Sequence, residues 1–129
     1  MLVLLPLLQS GTAQVRAVVP AHVQPNRFYS PGVDAGDYLF ISGQGPRRPD
    51  GSMGTSFAEQ CRQALDNVKA IVESARLSSE HVVYTQVYLE DVRNYAEMDR
   101  IFGDFFPKTP PARAVLGVAR VPDSPIEIN

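Results

Sequence analysis

The chain has 129 residues, 44% hydrophobic and 20% charged, the composition of one globular domain and too short for two cores. A net charge of −2 and a pI near 5.6 give no general attraction to nucleic acid or anionic lipid, and the basic pair Arg47-Arg48 is too small to hold a phosphate backbone. Cys61 is the single cysteine, which excludes an intrachain disulfide and a cysteine-built zinc cage, and His22 and His81 lack ligand spacing to each other or to a carboxylate cluster.

Met1 to Gln14 opens with the apolar run Leu2-Val3-Leu4-Leu5-Pro6-Leu7-Leu8 and continues to the small residues Gly11-Thr12-Ala13. This has the apolar core and cleavage chemistry of a secretory signal peptide without its basic start, and it is far too short to span a bilayer. Residues 1–14 are therefore read either as a cleaved leader, which would make the protein periplasmic or secreted, or as an N-terminal extension of a cytoplasmic protein. Residues 15–129 form a single domain.

Val15 to Val19 alternates well enough for a short strand, stopped by Pro20, and Pro25-Asn26-Arg27 is a turn. Phe28 to Val33 is a loop leading into an extended piece, and Asp34-Ala35-Gly36-Asp37 bends the chain. Tyr38 to Ser42 is aromatic and β-branched between turns and predicts a strand, followed by a long loop rich in glycine and proline. Ser56-x-x-Glu59 is a capping box, and Phe57, Cys61, Ala64, Leu65, Val68, Ile71, Val72 and Ala75 recur at helical spacing behind it. Cys61 lies in that apolar stripe and reads as a buried, inert thiol. Val82 to Leu89 has period two, with Val83, Val87 and Leu89 on one face. Asn94-x-x-Glu97 is expected to cap a second helix with Tyr95, Met98, Ile101, Phe102 and Phe105 inward, closed by Pro107 and Pro110-Pro111. Ala114 to Ala119 reads as a buried strand, and Ile126-Glu127-Ile128 as a terminal strand fragment.

The order strand, strand, helix, strand, helix, strand, strand predicts an α+β fold with both helices on one face of a mixed sheet. Strands this apolar leave a bare second face, so oligomerisation is expected.

No phosphate loop, nucleophile elbow or zinc-deaminase signature occurs in the chain, and neither histidine sits in a recognisable partner motif. The candidates that remain are Arg113 at the mouth of its strand, the carboxylate of Glu127, and the hydroxyls of Tyr29 and Ser42. An arginine presents a planar fork of donors that grips a carboxylate at two points. That set suits a small anionic substrate whose reaction needs a positioned water and a proton relay.

Ser42-Gly43-Gln44-x-Pro46, Gln63-Ala64-Leu65-Asp66-Asn67-Val68, Val87-Tyr88-Leu89-x-Asp91, Pro111-Ala112-Arg113 and Ile126-Glu127-Ile128 occur in the order and spacing of one family. From about Gln24 to Asn129 the chain resembles the RidA/YjgF proteins, the reactive intermediate deaminases also called L-PSP endoribonucleases. The resemblance implies a YjgF-like, chorismate-mutase-like fold and a homotrimer with clefts between subunits. It also implies cofactor-independent hydrolysis of 2-iminoacids or their enamine tautomers to 2-oxoacids and ammonia. Arg113 then matches the residue that grips the substrate carboxylate, and Glu127 the glutamate that orients and deprotonates the attacking water. Tyr29 matches a tyrosine that closes the cleft, and Ser42 the serine of the Ser-Gly-Gln motif.

The chain departs from the family pattern at four places. Val115 replaces a cysteine found two residues after the arginine in many deaminases. Asp99 stands in the substrate site where asparagine is common, a carboxylate that would repel an anion. The last strand usually continues beyond Ile-Glu-Ile, and Arg76 takes the place of the glycine that ends the first helix. Two alternatives stay open: a non-catalytic trimeric binder of 2-oxoacids or related small anions, and an endoribonuclease, against which the acidic pI argues. No metal, nucleic acid or membrane partner is expected.

Overall fold

A computed structural model describes residues 14–129. The expectation of a leader or extension over residues 1–14 lies outside the described residues, Gln14 excepted.

The strands β1 (Arg16–Val18), β2 (Gly32–Asp34) and β3 (Leu39–Ile41) form an antiparallel meander. A second group comprises β4 (Tyr84–Leu89), flanked by parallel β5 (Ala112–Gly117) and antiparallel β6 (Ile126–Ile128). Beyond β3, Gln44 and Ile128 exchange backbone hydrogen bonds of 2.8 and 3.1 Å, which joins the two groups in the order β1-β2-β3-β6-β4-β5. The helices α1 (Phe57–Ser74) and α2 (Tyr95–Phe105) are the connections from β3 to β4 and from β4 to β5, and both cover the same face. This is the α+β arrangement expected from the order of the elements.

Each helix forms for the reason its sequence gives. Ser56 Oγ accepts from the Glu59 amide at 3.2 Å while the Glu59 carboxylate accepts from the Ser56 amide at 3.1 Å. A cap of this kind contributes about 1 kcal/mol. Behind it Cys61, Ala64, Leu65, Val68, Ile71 and Val72 are buried. All of these but Ile71 meet Met98, Ile101 and Phe102 of α2, with Val87, Leu89, Ile126 and Ile128 from the sheet beneath. Strand β2 lies so close to α1 that a Cβ on Gly32 would lie 2.6 Å from Ile71 Cγ2.

Two local expectations are corrected. Asn94 does not cap α2 with its side chain, because it already has helical backbone angles (φ −78°, ψ 0°). The chain is turned by Asp91 instead, whose carboxylate accepts from the Arg93 amide at 2.9 Å and caps a 3-10 turn over Val92–Asn94 that runs into the helix. Along β4 the buried face is Thr85, Val87 and Leu89, whereas Val83 precedes the strand and is exposed.

Candidate functional site

The pleat of the sheet decides where each candidate side chain points. Residues paired across strands share a face, and alternate residues along a strand oppose each other. Arg113 pairs with Thr85, on the buried, helix-covered face, and Glu127 pairs with Tyr88, on the open face. The burial of Ile126 and Ile128 on either side of Glu127 fixes the same orientation. Arg113 and Glu127 therefore lie on opposite faces of one sheet, two strands and three positions apart, roughly 14 Å between Cα atoms from ordinary sheet spacings.

Arg113 reaches from β5 into a cavity of about 450 Å³ lined by Tyr95, Asp99, Phe102, Gly103, Pro110, Pro111 and Val115. Its side chain is only 21% exposed. The guanidinium carbon sits 4.8 Å from the centre of the Phe102 ring and 6.0 Å from that of Tyr95. The negative ring faces hold the cation in place without consuming its hydrogen-bond donors. Nη1 meets Met98 Sδ at 3.6 Å, and Nη2 donates to Asp99 Oδ1 in a charge-assisted bond. The signal for Tyr95, Met98 and Phe102 lay in the helical period, which reads them as core. Their second role, as the bed of the arginine, depends on the crossing of α2 over β5. Val115 follows in the same cavity at the position two residues on from Arg113.

Glu127 and Tyr29 line a different cavity, of about 600 Å³, together with Gly43, Gln44 and Asn67. The loop that forms its wall is fixed by α1. Gln63 Nε2 donates to Asn67 Oδ1 at 2.9 Å, and Asn67 Nδ2 donates to the carbonyls of Gly45 and Arg47, both at 2.8 Å. Asn67, within one of the motifs, is thus a positioning residue for the loop beside Glu127. Gly43 leaves room for the Glu127 side chain, since a Cβ there would come within 2.9 Å of Glu127 Cγ and closer still to its carboxyl group. Ser42 lines neither cavity, and its hydroxyl donates to the Ser30 carbonyl at 2.7 Å, tying the loop before β2 to the end of β3.

Cys61 is buried in α1, and burial, chiefly, pushes its thiol up to about 12; the nearby Glu97 carboxylate acts in the same direction and Arg113 opposes it. The thiol stays protonated at neutral pH and is no nucleophile. Among the described residues no group of three His, Cys, Asp or Glu side chains is placed to hold a metal ion.

The described residues thus form a mixed sheet with two helices on one face, and Arg113 and Glu127 line separate cavities. That is the architecture of a known class. The model of the family described as Endoribonuclease L-PSP matches residues 19–129, and the chain belongs to this family, the RidA/YjgF family of the sequence motifs. The chain is 42% identical over 115 residues to a 2-iminobutanoate/2-iminopropanoate deaminase of Escherichia coli K12, an alignment covering 85% of this chain and 88% of that protein. A RutC family protein of Pyrococcus horikoshii is 39% identical over 104 residues, 78% of this chain and 82% of the relative. Among solved structures, the YjgF gene product of E. coli superposes with a TM-score of 0.81 at 38% identity, over 88% of this chain and 94% of that one.

Proposed function

We propose that this protein is a cofactor-independent hydrolase that converts 2-iminoacids, or their enamine tautomers such as 2-aminoacrylate, to 2-oxoacids and ammonia. 2-Iminopropanoate and 2-iminobutanoate are the substrates in this reading. The observation that carries it is Arg113, a cation held on an aromatic bed at the floor of a cavity, in a chain 42% identical to a protein named for that reaction. The Arg113 fork grips the substrate carboxylate and fixes the C=N carbon, so that catalysis is mainly orientation. Glu127 takes one proton from a water as its oxygen bonds to that carbon. The substrate enters as the protonated imine, so returning that proton to nitrogen gives an ammonio group. The C–N bond breaks, ammonia leaves as the carbonyl forms, and it takes up the proton shed by the former hydroxyl to become ammonium.

Because Arg113 and Glu127 face opposite sides of the sheet, one protomer cannot supply both. The proposed cleft therefore pairs the Arg113 cavity of one copy with the open face of the next, carrying Glu127 and Tyr29, in a homotrimer. The open face has the apolar surface for it: Phe40, Tyr84 and Leu116 are 62%, 53% and 38% exposed.

The test generates 2-iminopropanoate in place with a pyridoxal-phosphate-dependent dehydratase and traps residual imine with semicarbazide. Wild type is expected to suppress trapping, Arg113→Ala to abolish the effect, and Glu127→Gln to reduce it about 10²-fold or more. Wild type no better than buffer would sink the enzymatic reading and leave a non-catalytic binder of small molecules at Arg113.

A further inference from the structure

Asp99 projects from α2 into the cavity that Arg113 enters, and its carboxylate is 48% exposed there. Oδ1 accepts from Arg113 Nη2, whereas Oδ2 accepts no hydrogen bond among the described residues. The two side chains thus present a matched pair of opposite charges side by side, with the arginine backed by Phe102 and Tyr95. A lone carboxylate that docks on the guanidinium must either displace Asp99 or lie next to a like charge. A ligand that carries a cationic nitrogen one carbon from its carboxylate meets no such conflict. Its carboxylate takes the remaining donors of Arg113 while its N–H groups donate to Oδ2.

From this geometry we infer that Asp99 makes the Arg113 cleft selective for zwitterions, a carboxylate beside a protonated nitrogen, over plain 2-oxo anions. The inference rests on the proposed role of Arg113 as the carboxylate clamp and names the ligand class of that site. It has a direct consequence for turnover. A protonated 2-iminoacid is such a zwitterion and the 2-oxoacid it yields is not, so hydrolysis removes the charge that Asp99 holds and the product is expelled. Asp99 is in this account a specificity-determining residue, with no part in moving the proton.

The test measures binding rather than turnover, by NMR chemical-shift titration of the full chain with two three-carbon probes, alanine as the zwitterion and pyruvate as the plain anion. Wild type is expected to bind alanine more tightly than pyruvate. In Asp99→Asn, which keeps the side-chain shape, the pyruvate Kd should fall about tenfold, or about 1.4 kcal/mol, and alanine should lose its advantage. Arg113→Ala should weaken both. An unchanged alanine-to-pyruvate ratio in Asp99→Asn, with both probes still lost in Arg113→Ala, overturns the inference and leaves the clamp standing. Binding of both probes unaltered by Arg113→Ala, or no shift with either probe in wild type, overturns the clamp and the inference together.

Discussion

Glu127 owes its position to a residue that makes no hydrogen bond to it. Gly43 has an unstrained backbone that an alanine can adopt, yet the added methyl would occupy the space of the Glu127 side chain. A flexible glutamate yields by swinging aside, which moves the carboxylate and leaves the core untouched. Gly43→Ala is therefore expected to retain the wild-type melting temperature while losing imine hydrolysis about 10²-fold, the usual cost of an ångström-scale misplacement. Unaltered activity in Gly43→Ala would show that the placement of this carboxylate is not used. Motif spacing singles out Arg113 and Glu127 as candidates because it records identity and order. It carries no record of which side chain fills the space of another, so the Gly43 contact and the Asp99–Arg113 pair emerge only from the packing. At Ser42 too the packing adds a partner that the motif does not record, since its hydroxyl donates to the Ser30 carbonyl.

Among the elements, the end of α1 carries a strained residue. Arg76 has φ 62°, in the left-handed region that costs a side chain with Cβ about 1 kcal/mol. The strain is held by two closing hydrogen bonds, from the Arg76 amide to the Glu73 carbonyl at 2.9 Å and from the Leu77 amide to the Val72 carbonyl at 3.1 Å. This is a Schellman termination, with arginine where glycine is favoured. Arg76→Gly should stabilise the protein by about 1 kcal/mol, read as a higher denaturant midpoint at unchanged slope. A lower midpoint would mean that contacts of the arginine outweigh its strain. The long elements were legible because their hydrophobic period is unambiguous over 18 residues of α1 and 11 of α2. The start of α2 was not, since Asn-x-x-Glu looks the same whether Asn94 caps the helix or already lies within the turn that Asp91 begins. Period two likewise cannot say where β4 begins: it groups Val83 with Val87 and Leu89, whereas Val83 precedes the strand and is exposed.

At the scale of the whole molecule, the sheet separates what the chemistry would bring together. The helices cover the face from which Arg113 projects, and the opposite face carries Glu127 among exposed Phe40, Tyr84 and Leu116. Apolar exposure and an incomplete site point to the same remedy, a second copy laid against the open face. The sequence predicted the bare face from the apolar strands alone, whereas the division of the two charged residues between faces required the strand register.

The most direct test of this arrangement mixes two variants. Arg113→Ala and Glu127→Gln, each expected to be impaired alone, are co-expressed with different tags and the mixed oligomers isolated. A cleft built from adjacent copies restores imine hydrolysis in the hybrids, to about a third of the wild-type rate, because every mixed trimer keeps one of its three clefts intact. Hybrids no more active than their parents would contradict a cleft shared between copies.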